Sequence, residues 1–251
     1  MNSSLQRYAG RVRLVMSRRT PRGSTGSRLG ASAGSSLEFH DYRDYHPGDD
    51  VRLIDWNVFA RSDKETIRRH REEVSPVVEL FLDESASMRA VDEPRVAEDL
   101  ASLLDGAAVR AGCRVRRRRL DGDDPRPPVA RSVRIIISDL LLPDNPETFL
   151  APVSREASAL HVVRLLPAVE RRPEKGSSFL CIDSETGEER ELRFDAATLA
   201  EHAEALARHT ESWTRAVRRH GGTFTDLTPG IDGPDEMVRA LVDSFVLEVV
   251  S

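Results

Sequence analysis

Short apolar runs alternate with amphipathic segments through most of the chain, and this alternation limits the folds that the sequence can adopt. Val77–Leu82, Val133–Ser138 and residues 160–166 each have the apolar composition of a buried strand. Between the first two, a segment opened by Pro94 carries apolar residues at helical spacing and stops at Gly112. Strands that alternate with helices predict an α/β fold with a mostly parallel sheet and helices on both faces.

The second half of the chain continues this pattern with one interruption. We predict helices over residues 146–158 and 196–220, a strand over Thr223–Leu227 and a last helix opened by Pro234. Two strand-like runs, 179–182 and 191–194, flank the turn sequence Asp-Ser-Glu-Thr-Gly at residues 183–187. They predict a β-hairpin inserted into the α/β order.

Residues 36–75 have a different pattern, which indicates a small β-rich lobe before an α/β domain over 76–251. The Pro47-Gly48 pair is a turn signal, and residues 51–56 have the bulky composition of a strand. The pattern requires no helix in this lobe.

Residues 1–35 form a basic segment with seven arginines, no acidic residue and many serines and glycines. We expect a flexible, solvated arm. Contact with nucleic acid or an acidic partner, and a transit peptide, are alternatives for this composition. A second arginine run, Arg114–Arg119, fits an exposed edge strand that its charge keeps from pairing.

The composition and the first residues of the chain indicate its cellular compartment. The 251 residues have a formal net charge of -5 and no apolar run of the roughly 20 residues that span a bilayer. Arg18 and Arg19 interrupt the first apolar run, so we expect no signal peptide and a cytoplasmic protein. Cys113 and Cys181 lie in strand-like runs without metal-ligand spacing, and we expect buried, reduced thiols.

Oxygen-bearing side chains follow two of the apolar strands. Asp83, Ser85 and Ser87 come directly after the first, and Asp139 follows a later one. Loops at the carboxyl ends of parallel strands collect ligands, and hard oxygens suit Mg²⁺ or Mn²⁺. In the alternative interpretation, the serines cap the turn while Asp83 accepts backbone hydrogen bonds.

These strand-end residues resemble the metal-ion-dependent adhesion site (MIDAS) of von Willebrand factor A domains. A longer succession of motifs is similar to the bacterial family called domain of unknown function 58 (DUF58). It comprises Glu38-Phe, Arg43-Asp-Tyr45, Pro47-Gly-Asp-Asp50, Arg52-Leu-Ile-Asp-Trp56, Ala60-Arg61, Glu72-Glu73 and Leu82-Asp-Glu-Ser-Ala-Ser-Met88.

The resemblance implies a von Willebrand A-like domain that works with a MoxR-type AAA+ ATPase in the maturation or activation of client proteins. It also implies a threonine ligand before Asp139, and this chain has none between Met88 and Asp139. Asp123 or Asp124 could substitute. The interval from Leu120 to Val133 is too short for the usual helices, so either the Arg114 strand pairs antiparallel or an element is lost.

The lobe motif has two interpretations. In the first, its charged residues pair to tie the lobe to the core and its tryptophan packs inside; in the second, it is a docking surface. Its members are Arg43, Tyr45, Gly48, Asp49, Asp50, Arg52, Asp55, Trp56 and Arg61.

Three functions remain open for the chain. The first is a non-enzymatic module for protein–protein interaction, in which the strand-end site grips an acidic group. The second is a phosphohydrolase of the haloacid dehalogenase class, although Ser85 stands where such enzymes carry a general-acid Asp. The third is nucleic-acid binding through the arginine runs. The sequence has no G-x-x-x-x-G-K-[ST] loop, so ATP hydrolysis would belong to a partner.

Overall fold

The computed structural model describes residues 4–16, 39–70, 75–90, 94–120, 126–141, 145–182 and 187–250. The chain divides into two compact units. The first combines Met1–Ser24 with Pro76–Ser251, and the second is Thr25–Ser75.

The described residues contain eleven strands, seven α-helices and two 3-10 helices. The strands are β1 (Val12–Leu14), β2 (Phe39–Asp44), β3 (Thr66–His70), β4 (Val77–Leu82), β5 (Arg114–Arg119), β6 (Val133–Ser138), β7 (Ala159–Leu165), β8 (Ser178–Ile182), β9 (Glu189–Arg193), β10 (Thr223–Leu227) and β11 (Leu247–Val249). The helices are α1 (Trp56–Ser62), α2 (Ala86–Ala90), α3 (Pro94–Arg110), α4 (Pro146–Ser154), α5 (Ala168–Arg171), α6 (Ala196–Arg219) and α7 (Pro234–Asp243). The 3-10 helices are Ser4–Tyr8 and Val51–Leu53.

A five-stranded parallel sheet forms the centre of the first unit. Its strand order is β10-β7-β6-β4-β5, and every neighbouring pair is parallel. The α/β fold with a parallel sheet is therefore confirmed. Because all five strands run in one direction, their carboxyl ends meet at one edge of the sheet.

Helices cover both faces of this sheet, as the apolar runs predicted. In β6, Ile135 and Ile137 pack in one core cluster with residues of α3 and α7. Ile136 points to the other face and packs in a second cluster with Leu150 of α4 and Trp213 of α6. Side chains of a strand alternate between faces, so a strand that is apolar at successive positions must be covered twice. No helix in the described residues is long and apolar enough to cross a membrane.

Residues 4–16 belong to the core of this unit, which corrects the expected arm for that part of the chain. Leu5, Val12 and Leu14 are buried, and β1 pairs antiparallel with β11. The Arg110 side chain also donates from Nε to the carbonyl oxygen of Val12, at 2.8 Å. A flexible arm over 1–35 is therefore wrong for residues 4–16, and residues 17–35 lie outside the described residues.

The arginine-rich strand β5 is the edge strand that its charge predicted. It pairs parallel with β4, so the antiparallel alternative is wrong. Its charges are partly engaged: Arg117 forms ion pairs with Glu98 and Asp105 of α3, at 2.5 and 2.6 Å. Leu120 and residues 126–132, the described part of the connection to β6, contain no helix, and Asp123 and Asp124 lie outside the described residues.

The second unit contains a strand pair and a helix, and the helix corrects the expectation of a purely β-rich lobe. β2 pairs antiparallel with β3. Residues 51–56 do not form a strand; Val51–Leu53 is a 3-10 helix and α1 starts at Trp56. The reason is local capping, because Asp50 accepts a hydrogen bond from Arg52 N, and Asp55 accepts from the first amides of α1.

The inserted hairpin is confirmed, since β8 pairs antiparallel with β9. The helix expected over 146–158 ends earlier, at Ser154, whereas α6 ends at Arg219, close to the predicted end. Gly221 after α6 has a φ of 70°, a left-handed conformation that favours glycine.

Cys113 has the free, buried thiol that the sequence predicted. Its Sγ atom lies 3.0 Å from Sδ of Met16, and burial raises the pKa of the thiol. The Cys181 side chain lies outside the described residues.

Candidate metal-binding site at the strand ends

Asp83 and Asp139 lie next to each other because their strands are neighbours in the sheet. β4 and β6 are parallel, with Leu82 paired to Ile137, so each aspartate leaves its strand at the same edge. The amide of Asp83 continues the ladder by donating to the carbonyl oxygen of Ile137, at 3.0 Å. Asp83 is 3% and Asp139 2% exposed.

Hydrogen bonds fix the Asp83 carboxylate in one orientation. Oδ1 accepts from the amide of Ser85 at 2.9 Å, and Oδ2 accepts from Ser138 Oγ at 2.6 Å. Ser138 Oγ in turn accepts from the amide of Leu140 at 2.9 Å. A carboxylate oxygen has two lone pairs, so each oxygen keeps one for a further partner.

The two serines of the Asp-x-Ser-x-Ser turn link Asp83 to Asp139. Ser85 Oγ and Ser87 Oγ lie 2.9 Å apart, and the Ser87 hydroxyl is near enough to Asp139 to act against the raised pKa of that carboxyl. The second aspartate accepts a further bond at Oδ1 from the amide of Leu141, at 2.9 Å. The structure thus brings together all four residues predicted as metal ligands, and it also contains the backbone hydrogen bond of the capping alternative.

The electrostatics of this cluster disfavour the anionic form of Asp139. Burial raises the pKa of Asp139, and the negative charge of Asp83 raises it further, while the bonds from Ser87 and Leu141 act in the opposite direction. Two buried carboxylates that repel each other would be stabilised by a divalent cation. Two carboxylates and two hydroxyls are also the hard oxygen donors that Mg²⁺ and Mn²⁺ prefer.

The serine hydroxyls are needed for a cation site here because Asp83 and Asp139 alone supply too few ligands. No group of three or more His, Cys, Asp or Glu side chains in the described ranges is placed to hold a metal ion. A cation at this point would therefore depend on Asp83, Asp139 and the two serines, completed by water or by a partner.

Sequence reasoning missed one acidic residue in the neighbouring loop. Glu170 lies in α5, which follows β7, and β7 is the strand beside β6. Burial raises the pKa of Glu170, and the negative charge of Asp139 raises it further. The order of the elements was a signal for Glu170, because Glu170 follows β7, the next strand after Asp139. That β7 lies beside β6 in the sheet, however, is not a local property of the sequence.

The acidic residues of the lobe motif act as turn and helix caps. Asp49 Oδ2 accepts from the amide of His46 at 2.9 Å, and Asp55 Oδ1 accepts from the amide of Asn57 at 3.0 Å. Gly48, in the same turn as Asp49, has a φ of 111°, which other residues rarely adopt. These hydrogen bonds are local and stabilise the turn and the start of α1 within the lobe.

The other lobe residues divide between backbone pairing and the surface. The Tyr45 amide donates to the carbonyl oxygen of Glu65 at 2.8 Å, Arg52 and Arg61 are exposed, and the Arg43 side chain lies outside the described residues. Trp56 is 62% exposed, so the prediction that it packs in the lobe is wrong.

Comparison with known proteins covers both the lobe and the Asp-x-Ser-x-Ser turn. The model of the family described as protein of unknown function DUF58 matches residues 41–115, which include Asp83, Ser85 and Ser87. This chain belongs to the DUF58 family.

Relatives of this DUF58 chain are known in mycobacteria. Uncharacterized proteins of Mycobacterium tuberculosis and Mycobacterium bovis are 27% identical over 85% of this chain and 81% of their own length. An uncharacterized protein of Mycobacterium avium is 32% identical over 45% of this chain and 67% of its own. A solved structure, of the conserved hypothetical protein BatB from Bacteroides thetaiotaomicron, matches at 11% identity and a TM-score of 0.25, over 68% of this chain and 98% of that one. That TM-score is too low to support an argument about the fold.

Proposed function

We propose that this DUF58 chain is a non-enzymatic module for protein–protein interaction that holds Mg²⁺ or Mn²⁺ at the strand ends and binds an acidic group of its partner. The observation that carries the proposal is that Asp83, Ser85, Ser87 and Asp139 lie next to one another at the carboxyl ends of two neighbouring strands, with both carboxylates buried. In this proposal the first unit is a von Willebrand A-like domain with a partial MIDAS.

The donor set explains why a partner would complete the site. Mg²⁺ prefers six oxygen ligands and keeps water where the protein supplies too few. Four side chains leave positions open, and the chain lacks the threonine of the full motif between Met88 and Asp139. When bound, the cation would supply positive charge for a carboxylate of the partner.

Exposed apolar side chains in the adjoining loops support an interaction surface. Leu141 follows Asp139, Val169 lies in α5 after β7, and Ile231 follows β10; each is about half exposed. The α5 and Ile231 loops lie close together, because a Cβ built on Gly230 would lie 3.9 Å from Cβ of Ala168. Apolar groups beside a polar site are typical of surfaces that bind proteins.

The partner that we propose is a MoxR-type AAA+ ATPase, on the basis of the family resemblance, with client maturation or activation as the outcome. The chain has no phosphate-binding loop of the G-x-x-x-x-G-K-[ST] kind, so the ATPase would supply the hydrolysis.

Copurification with the MoxR-type ATPase of the same organism tests this function. The Asp83→Asn variant keeps the shape of the side chain and removes its charge, so we expect it to lose ATPase binding in MgCl2. The matched control is Glu84→Gln, because neighbouring Glu84 is half exposed and ion-pairs with Arg119 at 3.3 Å. EDTA should abolish binding of the wild type. Equal ATPase binding by wild type and Asp83→Asn, with or without EDTA, would contradict the proposal.

A further inference from the structure

Glu170 has a buried carboxylate oxygen that the rest of the described structure leaves without a hydrogen bond. Its Oε2 atom is shielded from solvent and has no partner among the described residues. A buried acceptor without a donor is unfavourable, so such an atom indicates a partner that the protein side chains do not supply. The residue lies in α5 after β7, beside the strand that carries Asp139.

Helix α6 contacts the backbone of both α5, which contains Glu170, and the segment that follows Asp139. His202 Nε2 lies 2.7 Å from the carbonyl oxygen of Glu170, and His209 Nε2 lies 3.1 Å from the carbonyl oxygen of Leu140. The two histidines are seven residues apart, which places them two turns apart on one face of the helix. The backbone of Glu170 and the backbone of Leu140, the residue after Asp139, are therefore both held against α6 in the packed fold.

The charge around Glu170 also favours a cation nearby. Burial raises the pKa of Glu170, the negative charge of Asp139 raises it further, and His202 acts in the opposite direction. A divalent cation at the strand ends would relieve the repulsion between the two carboxylates. Since the carboxylates present do not form a three-acid ligand group, Glu170 fits a position outside the first coordination shell.

We propose that Glu170 is an outer carboxylate of the strand-end site, whose Oε2 accepts a hydrogen bond from water bound to the cation. This inference rests on the proposed function. Where the protein supplies too few ligands, Mg²⁺ and Mn²⁺ keep bound water. Mutation of a carboxylate that orients such a ligand typically lowers metal affinity 10- to 100-fold. Glu170 thereby offsets part of the affinity lost with the missing threonine.

Binding of Mn²⁺, followed by the electron paramagnetic resonance signal of the free ion, tests the inference on the full chain. We expect Glu170→Gln to raise the Kd for Mn²⁺ about tenfold or more. The control is Glu174→Gln, an exposed carboxylate four residues away, which should leave the Kd unchanged. Equal Kd values for the wild type and Glu170→Gln would overturn the inference and leave the proposed site intact. No Mn²⁺ binding by the wild type would overturn both.

Thermal unfolding in EDTA separates this role from a purely structural one. If Glu170 served only to pair with His202, Glu170→Gln would lower the Tm without any metal, and that result would count against the inference. We expect an unchanged or raised Tm in EDTA and a smaller stabilisation by Mn²⁺ than the wild type shows.

Discussion

At the scale of single residues, Asp83 shows how one carboxylate serves both the fold and the candidate site. Its two oxygens accept from Ser85 N and Ser138 Oγ and so join the loops after β4 and β6. The remaining lone pairs are free to ligate a cation. The capping and metal interpretations of the sequence are therefore compatible, because the same hydrogen bonds that close the turn also orient the carboxylate.

His161 gives a pH prediction that is independent of the metal site. Burial lowers its pKa from 6.5 to about 4, and its Nδ1 lies 2.7 Å from Thr223 Oγ1. Between these two pKa values the unfolded chain binds a proton that the folded chain does not, so the free energy of unfolding falls as the pH drops from 7 to 4. A shift of this size corresponds to about 3 kcal/mol.

The measurement is urea unfolding of the wild type and His161→Gln at several pH values. We expect the stability difference between the two proteins to change by a few kcal/mol between pH 7 and pH 4, in favour of the variant at low pH. The same substitution at exposed His46 should produce no such change. Parallel pH profiles for the wild type and His161→Gln would show that His161 does not titrate differently on folding.

Some residues could be predicted from the sequence and others could not, for physical reasons. Asp83 and Asp139 each follow an apolar strand directly, so a local pattern located them. Glu170 required knowledge that β7 lies beside β6, which depends on the whole sheet. Trp56 packs in only one of the two interpretations of the lobe motif and is exposed in the structure, while the neighbouring Asp55, a helix-capping residue, was the overlooked sign of α1.

At the scale of elements, the edge strand β5 is held in place by its arginines. Arg117 binds two carboxylates of α3, and Arg118 reaches Glu79 of β4 at 3.1 Å. Glu79 is buried and lies 3.5 Å from buried Arg134 of β6. The sequence predicted the edge from the charge of β5, but pairing across three strands could not be predicted without the sheet order.

The amino-terminal strand β1 gives a prediction at this scale. Leu14 is fully buried against the core, so Leu14→Ala should cost about 2–5 kcal/mol of stability. Chemical unfolding measures this cost. The control is Arg11→Ala in the preceding turn, where the side chain is exposed and a change within about 0.5 kcal/mol is expected. A loss that small for Leu14→Ala would contradict the packing of residues 4–16 on the core.

Strand β1 could not be predicted from the sequence, because the residues around it have the composition of a flexible basic arm. Arg11, Arg13 and five further arginines dominate residues 1–35, while the apolar signal is limited to a few positions such as Val12 and Leu14. A three-residue strand has too few residues to show a period, and its partner β11 lies at the other end of the chain. Long-range pairing of short strands therefore needs the folded structure.

At the scale of the whole molecule, the parallel sheet accounts for the position of the candidate site. Strands β4, β6, β7 and β10 end at one edge, and their loops carry Asp83, Asp139, Glu170 and the exposed Ile231. The alternation of apolar runs and helices predicted this edge. The second unit, Thr25–Ser75, has its own strand pair and capped helix.

Isothermal titration of the purified protein with MgCl2 and MnCl2, beside an Asp83→Ala control, tests the central claim most directly. Asp83 supplies carboxylate oxygens and orients the Ser85 amide and the Ser138 hydroxyl, so its loss should remove the site. We expect saturable binding of one ion by the wild type and none by Asp83→Ala, with both proteins folded by circular dichroism. Equal binding by both proteins, or none by the wild type, would contradict a cation site at the strand ends.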